Sequence, residues 1–435
     1  MSMFRLVVRE HEKIPVVAER GPGERALLPQ ELTALLRACP SIDEPPFVVG
    51  HRSVKFNHRC GVIQAKGISV EILPKVADDD GYDRGLLLQM LACSTGFDIA
   101  RLDVSELRLQ DHTILQIILQ WFCQELSTQC HAGLLREYVN QAAELPMIRG
   151  RWRVDHDLRR GYRDPTRLSC EFDDLVSDNR YNRALKAGLR KARTLADGSG
   201  ALKRHINLLL DWFSEVQDCR VTPADIERLP RNRLVVRYGS ALDMAGWLLG
   251  QHAPDFSHGG GSGFAMLFDM NVLFQSCLGN VLDRCLPEGY RLRKERPRYF
   301  LSLDHTDRPR FQMKPDFCVI YEGKVAAIID AKWKRLTPEL AKGTWGVQQA
   351  DMYQLHAYAT AYACPRVALW YPENGETRGK DTRPVFQFLT GGNELATAAV
   401  SVDWVGLFET LRGRHWNAAM QRDVTACLVR LGIGA

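Results

Sequence analysis

The chain has 435 residues, 45% hydrophobic and 25% charged, with 57 basic against 52 acidic side chains and a net charge of +5. That composition argues against wholesale disorder, leaves room for two or three domains with real cores, and permits contact with a polyanion without requiring it. The longest apolar runs, Ile114 to Phe122 and Leu208 to Phe213, are too short or interrupted to cross a bilayer, and the N-terminus lacks the pattern of a secretory signal, so a cytoplasmic setting is expected.

From Phe47 to Val76, short β-type runs alternate with turn residues, which predicts a β-rich N-terminal region over 1–84. Between two of these runs, His51 to Arg59 reads as a projecting basic loop carrying Arg52, Lys55 and Arg59, or as a plain solvated one. The acidic stretch Asp78-Asp79-Asp80-Gly81 breaks the β pattern. Helical spacing then dominates, as in Ile114, Leu115, Ile117 and Ile118 or Ala184, Leu185, Gly188 and Leu189, predicting a helical middle region over 85–256. Within it Arg149, Arg151, Arg153, Arg159 and Arg160 make a basic stretch that suits either a solvated face or an acidic partner.

Twelve cysteines run from Cys39 to Cys427 without a C-x-x-C pair, as expected of reduced, buried thiols; Cys123, Cys130 and His131 do not have zinc-knuckle spacing. The glycine-rich segment 257–263 reads as a linker, with a last domain at 264–435. Two apparent motifs fail. Gly375, Gly379 and Lys380 are one residue short of a phosphate loop, with Asp381 where a magnesium-binding hydroxyl belongs, and Phe264 replaces the last glycine of a serine-nucleophile elbow.

After the linker, Phe264 to Leu286 is expected to form one amphipathic helix, followed by strands near Tyr290 to Leu292 and Phe311 to Met313. Asp316 to Tyr321 and Val325 to Lys332 read as a hairpin closed by Glu322-Gly323-Lys324, a count that places Asp316 opposite Asp330. Like charges directly opposed in a hairpin are destabilising without a compensating cation. Magnesium, which takes oxygen ligands and keeps several waters, is the cation these carboxylates would suit. Lys332, two residues beyond Asp330, shares its face by strand alternation. Two carboxylates and an ammonium on one face suit phosphodiester hydrolysis, and the order helix, strands, hairpin, helix, strand is the αβββαβ core of PD-(D/E)xK nucleases. The expected class is therefore α+β, or α/β, and multidomain. In the helix beginning near Val347, Asp351, Gln354 and Tyr358 share a face, and Tyr358 fits core packing as well as support of the site.

These residues resemble the McrC family, the nuclease subunits of McrBC-type modification-dependent restriction systems. The resemblance is carried by Ile72-Leu73-Pro74-Lys75-Val76, Ile148-Arg149-Gly150-Arg151, Cys170-Glu171-Phe172-Asp173-Asp174, Asn182-Arg183-Ala184-Leu185-Lys186 and Asp269-Met270-Asn271-Val272-Leu273-Phe274. It continues through Pro315-Asp316, Asp330-Ala331-Lys332 and Tyr353-Gln354-Leu355-His356-Ala357-Tyr358-Ala359. It implies catalytic Asp316, Asp330 and Lys332, with Asp316 and Asp330 holding Mg2+, and a supporting Q-x-x-x-Y element formed by Gln354 and Tyr358. It also implies cleavage of double-stranded, modified DNA together with an McrB-like AAA+ GTPase that the N-terminal region engages, through Arg52, Lys55 and Arg59 if the basic loop is the docking surface. Gln275 departs from the glutamate that such proteins often carry in the first nuclease helix, leaving a third carboxylate missing. Two rival expectations are a non-catalytic subunit that assembles on and stimulates the GTPase, and a stand-alone repair exonuclease.

Overall fold

The computed structural model describes residues 3–39, 45–76, 79–95, 112–159, 166–196, 200–250, 263–294, 299–337, 343–388, 398–406 and 416–434. Asp78, Arg160 and linker positions 257–262 lie outside them. The chain forms two compact units, Met1–Ile114 with Pro254–Ala435, and Leu115–Ala253. No helix among the described residues is long and apolar enough to cross a membrane.

The first unit joins sequence regions expected to be separate, because strand pairing crosses the expected boundary. Its four-stranded sheet runs Phe4–Arg9, Ile68–Leu73, Arg59–Ala65, Phe264–Asp269, the last pair antiparallel with Phe264 opposite Gln64. Phe264–Asp269 was expected to begin a helix. It is a strand instead, with Phe264 and Met266 buried in alternation, and the helix starts only at Met270. The Asp269 carboxylate caps it by accepting from the backbone N–H groups of Asn271 and Val272. Gly61 permits the pairing: at φ 140°, a Cβ there would lie 2.1 Å from the Met266 carbonyl oxygen.

The expected basic loop is likewise a strand. Ser53–Phe56 lies at the centre of a three-stranded sheet between Lys13–Pro15 and Phe47–Val49, because Val54 and Phe56 alternate inward. Arg52 and Lys55 remain exposed, whereas Arg59 opens the next strand and is half-buried.

The second unit holds the expected helices, among them Arg180–Leu195, capped by the Asn179 side chain, and Gly239–Leu249. It also holds an unexpected three-stranded antiparallel sheet, Glu137–Leu145, Leu168–Val176 and Arg151–Trp152. Glu137–Leu145 has no fully buried position, so it lacks the apolar alternation that marks a strand. In the basic stretch, Arg149 is exposed and pairs with Asp174 at 2.8 Å.

Returning to the first unit, a six-stranded sheet runs Tyr290–Lys294, Phe317–Tyr321, Lys324–Ala331, Arg366–Pro372, Ala399–Val405, Val385–Gln387. The pairing of Lys324–Ala331 with Arg366–Pro372 is parallel and is crossed over by the helix Gln349–Ala361. Alternation separates the faces. Cys318, Ile328, Val367 and Leu369 pack with Leu355 and Tyr358 of that helix, while Phe317 lies against Gly279 of the helix Met270–Cys285. The strand expected near Phe311 to Met313 forms, but it pairs with Tyr299–Leu303 in a separate two-stranded ribbon.

Candidate active site

The hairpin Phe317–Tyr321/Lys324–Ala331 brings the predicted residues together by a route the sequence count did not foresee. Its loop has two residues, Glu322 and Gly323, not three, and both have positive φ, as a type I′ turn requires. That would misalign the acids by one residue. A bulge compensates: Ile320 faces Val325 but Val319 faces Ala327, so Phe317 reaches Ile329. One step further out, the register brings Asp316 across from Asp330.

The two carboxylates sit in unlike surroundings. Asp316 is half-buried and well supplied with donors: the Ala331 backbone N–H reaches Oδ2 at 2.8 Å and the Gln275 side-chain amide reaches Oδ1 at 2.9 Å. Asp330 is only 1% exposed, and its Oδ2 has no aligned hydrogen-bond donor, although the Lys332 ammonium lies 2.6 Å away. Burial raises the Asp330 pKa above the usual carboxylate value, against the opposing pull of Lys332.

Lys332 is held by more than this pair. Its Nζ donates to Gln354 Oε1 at 2.7 Å and lies 3.6 Å from the buried Asp351 carboxylate. Gln354 Nε2 donates to the Tyr358 hydroxyl at 2.9 Å, and that hydroxyl donates to the Lys314 carbonyl at 3.0 Å. The chain of donors fixes the Gln354 amide so that its oxygen faces the ammonium. Burial alone would depress the Lys332 pKa, but Asp330, Asp351 and Asp316 outweigh it and raise it. Burial pushes the Tyr358 hydroxyl up to about 12, so Tyr358 stays a donor at neutral pH.

Asp316, Asp330, Lys332, Gln354, Tyr358 and Gln275 thus belong to one connected cluster. Two further members, Asp351 and Lys334, complete it: Lys334 Nζ contacts Asp351 Oδ2 at 3.0 Å and Gln348 Oε1 at 2.8 Å. The spacing Asp330, Lys332, Lys334 was the available signal for Lys334. Arg52, Lys55 and Arg59 are not part of this cluster. Arg52 and Lys55 instead line a concavity of about 810 Å3 with His11, Lys13, His51 and Asn57.

The donor set suits a hard divalent cation. Asp316 and Asp330 offer hard oxygens, and Asp330 Oδ2 is buried without an aligned donor, with the Lys332 ammonium beside it. Among the described residues, however, no group of three or more His, Cys, Asp or Glu side chains is placed to hold a metal. Gln275 stands where a third carboxylate was sought and instead donates to Asp316.

Comparison with known proteins bears on the whole chain. Residues 54–372 match the family described as McrBC 5-methylcytosine restriction system component. One similar solved structure is a refined half-complex from a tetradecameric assembly of Thermococcus gammatolerans McrB AAA+ hexamers with bound McrC. The match has 18% identity and a TM-score of 0.67 and covers 98% of this chain and 100% of that one. A second is the cryo-EM structure of the Thermococcus gammatolerans McrBC complex, at 21% identity and a TM-score of 0.50, covering 66% of this chain and 89% of that one. No curated protein matches the sequence. The resemblance read from the sequence motifs is borne out, and the chain belongs to the McrBC 5-methylcytosine restriction system component family.

Proposed function

We propose that this chain is the nuclease subunit of an McrBC-like complex, hydrolysing phosphodiester bonds of double-stranded, modified DNA when an McrB-like AAA+ GTPase engages it, and stimulating that GTPase. The observation that carries the reading is the meeting of Asp316, Asp330 and Lys332 at the end of one hairpin, with Gln354 orienting the lysine. We assign the Asp330-bearing sheet and its helices to a PD-(D/E)xK domain, and the cellular setting to the cytoplasm. The chain has no phosphate loop, so GTP turnover belongs to the partner; the matched assembly contains McrB AAA+ hexamers with bound McrC.

Asp316 and Asp330 would hold Mg2+, which when bound polarises a phosphoryl oxygen and lowers the pKa of water. The chain's own residues do the rest. Asp316, pinned by the Ala331 N–H and Gln275, presents a fixed carboxylate edge rather than a free rotor. The Lys332 ammonium, kept protonated by its acidic neighbours, is placed to offset charge gathering on the phosphate oxygens in the transition state. Gln354 adds a second fixed acceptor to that ammonium beside Asp330, so its position is set from two sides.

The test uses Asp330→Asn and Lys332→Ala in complex with the partner GTPase, measuring cleavage of methylated plasmid and GTP turnover on the same preparations. Both variants are expected to lose cleavage by a factor of about 10²–10⁴ while GTPase stimulation persists. Retained cleavage in both would eliminate this site. Because Gln275 stands where the resemblance implies a further carboxylate beside Asp316 and donates to Asp316 instead, a non-catalytic assembly role is the second reading; it predicts that the parent complex stimulates GTP turnover yet never cuts. Cutting of DNA ends by the isolated chain without GTP would instead indicate a stand-alone exonuclease.

A further inference from the structure

The strand Tyr290–Lys294 is an outer edge of the six-stranded sheet and pairs antiparallel with Phe317–Tyr321. In that register Lys294 faces Phe317, Arg293 faces Cys318 and Arg291 faces Ile320. Directly opposed residues share a face, and neighbours along a strand alternate. Arg293 and Arg291 therefore share the face of Cys318, which is also the face of Asp316 and Asp330. Lys294 is turned to the other side, where its Nζ donates to Asn280 Oδ1 at 2.9 Å. Same-face positions on a strand lie about 6.6–6.8 Å apart and adjacent strands about 4.8 Å apart. Arg293 is thus one such step along from the Asp316 row and one strand over, and Arg291 is two steps along.

The two guanidinium groups are available. Arg9, Arg84, Arg183 and Arg430 are committed to carboxylates, whereas neither Arg291 nor Arg293 has an ion-pair partner among the described residues. Arg291 is exposed and Arg293 half-buried, and a groove of about 770 Å3 runs along this edge, lined by Gly289, Arg291, Arg293, Lys294, Ile320 and Glu322. The groove is net basic and open, and its lining runs from Lys294, which faces Phe317 next to Asp316, along the edge to Glu322 at the hairpin turn.

We propose that Arg291 and Arg293 form a binding track for the sugar-phosphate backbone of duplex DNA, gripping two phosphates to one side of the bond that is cut. The proposal rests on the reading of the Asp316, Asp330 and Lys332 cluster as a DNA-cleaving site, and adds where the flanking strand lies. A guanidinium presents a planar fork of donors that matches phosphate oxygens. Contacts of this kind position the duplex and carry no base sequence. They leave recognition of modified bases to another surface.

Binding of fluorescent duplex DNA to the full chain, with Asp330→Asn to prevent cutting, is measured between about 50 and 200 mM salt. Each phosphate contact contributes about 0.9 to the slope of log affinity against log salt. Arg291→Ala with Arg293→Ala is expected to make that slope shallower by roughly 2 and to weaken low-salt binding at least about tenfold, equally for methylated and unmethylated duplex. Arg291→Lys with Arg293→Lys keeps most of the slope, since charge rather than chain length is the origin, and Lys294→Ala leaves it unchanged. In the cleaving complex the double alanine variant should show its defect in KM. An unaltered slope in a double alanine variant that melts like the parent overturns the track, as does a loss confined to methylated duplex. Cleavage by the parent complex is scored separately: a slope change without parental cleavage keeps the track and removes the nuclease reading, whereas cleavage with an unaltered slope does the reverse.

Discussion

Two ion pairs in the first unit, each built on a buried carboxylate, differ in how fully that carboxylate is answered. In the N-terminal sheet, Arg84 grips Glu71 with two bonds, Nε to Oε1 at 3.0 Å and Nη2 to Oε2 at 2.8 Å, and the Ile114 N–H adds a third donor to Oε1 at 2.8 Å. In the C-terminal sheet, Asp330 has a single ammonium near one oxygen and no aligned donor on it. The first pair is closed: both Glu71 oxygens are answered within the fold, by three donors in all. The second is less fully answered, with the Lys332 ammonium as the one cation in contact with Asp330 Oδ2 among the described residues. The number of donors, rather than burial or charge, separates the pair read as structural from the one proposed to meet a cation.

Breaking the closed pair is the largest effect expected. Arg84→Met strands the Glu71 carboxylate and should cost about 3–5 kcal/mol in denaturant unfolding; a loss under about 1 kcal/mol would mean the pair is not saturated as described. A third buried carboxylate, Glu10, lies between these extremes. It accepts from Trp333 Nε1 at 3.0 and 3.1 Å and from the Lys75 N–H at 3.0 Å, yet burial still raises its pKa from 4.5 to about 6, with His58 and Asp83 making smaller contributions. A carboxyl group whose pKa is raised on folding stabilises the fold fully below its unfolded value and loses that contribution as pH rises through its folded value. The chain should therefore lose on the order of 2 kcal/mol from this group between pH 4.5 and somewhat above 6, and Glu10→Gln should flatten that part of the melting curve against pH. An unchanged profile in the variant would assign the pH dependence elsewhere.

Tyr358→Phe removes one link in the chain from Lys332 to the Lys314 carbonyl and should cost about 1 kcal/mol. Its cleavage defect should be milder than that of Lys332→Ala, and a defect as large would make Tyr358 more than a support. The smallest stability effect is expected where the largest catalytic one is. Asp330→Asn, in chelator, should be neutral or slightly stabilising, because it removes an ill-satisfied charge, and the variant should gain less from added magnesium than the parent does. A strongly destabilised Asp330→Asn would show that this pair is closed after all and collapse the contrast with Glu71 and Arg84.

The pairing of Asp316 with Asp330 was legible in the sequence although the loop was not. A two-residue turn and a bulge at Ala326 are opposite displacements, and the hairpin arms are apolar enough that either route leads to the same register. Phe264–Asp269 was illegible because an unbroken apolar run ahead of a helix carries both periodicities, and its partner strand lies far away in sequence. Glu137–Leu145 was illegible for the reverse reason, being too polar to announce either face. The basic segment 51–59 looked like a loop because its charges were counted, when the inward Val54 and Phe56 decide the conformation.

The late strand has a consequence for how the chain is made. Arg59–Ala65 waits for Phe264–Asp269, about 200 residues downstream. At a synthesis rate of roughly 5–20 residues per second, the edge of the N-terminal sheet stands unpaired on the ribosome for about 10–40 s. An open edge of that kind invites pairing with another nascent chain. A fragment ending before residue 264 would carry the same exposure permanently, so the N-terminal half is a poor candidate for expression on its own.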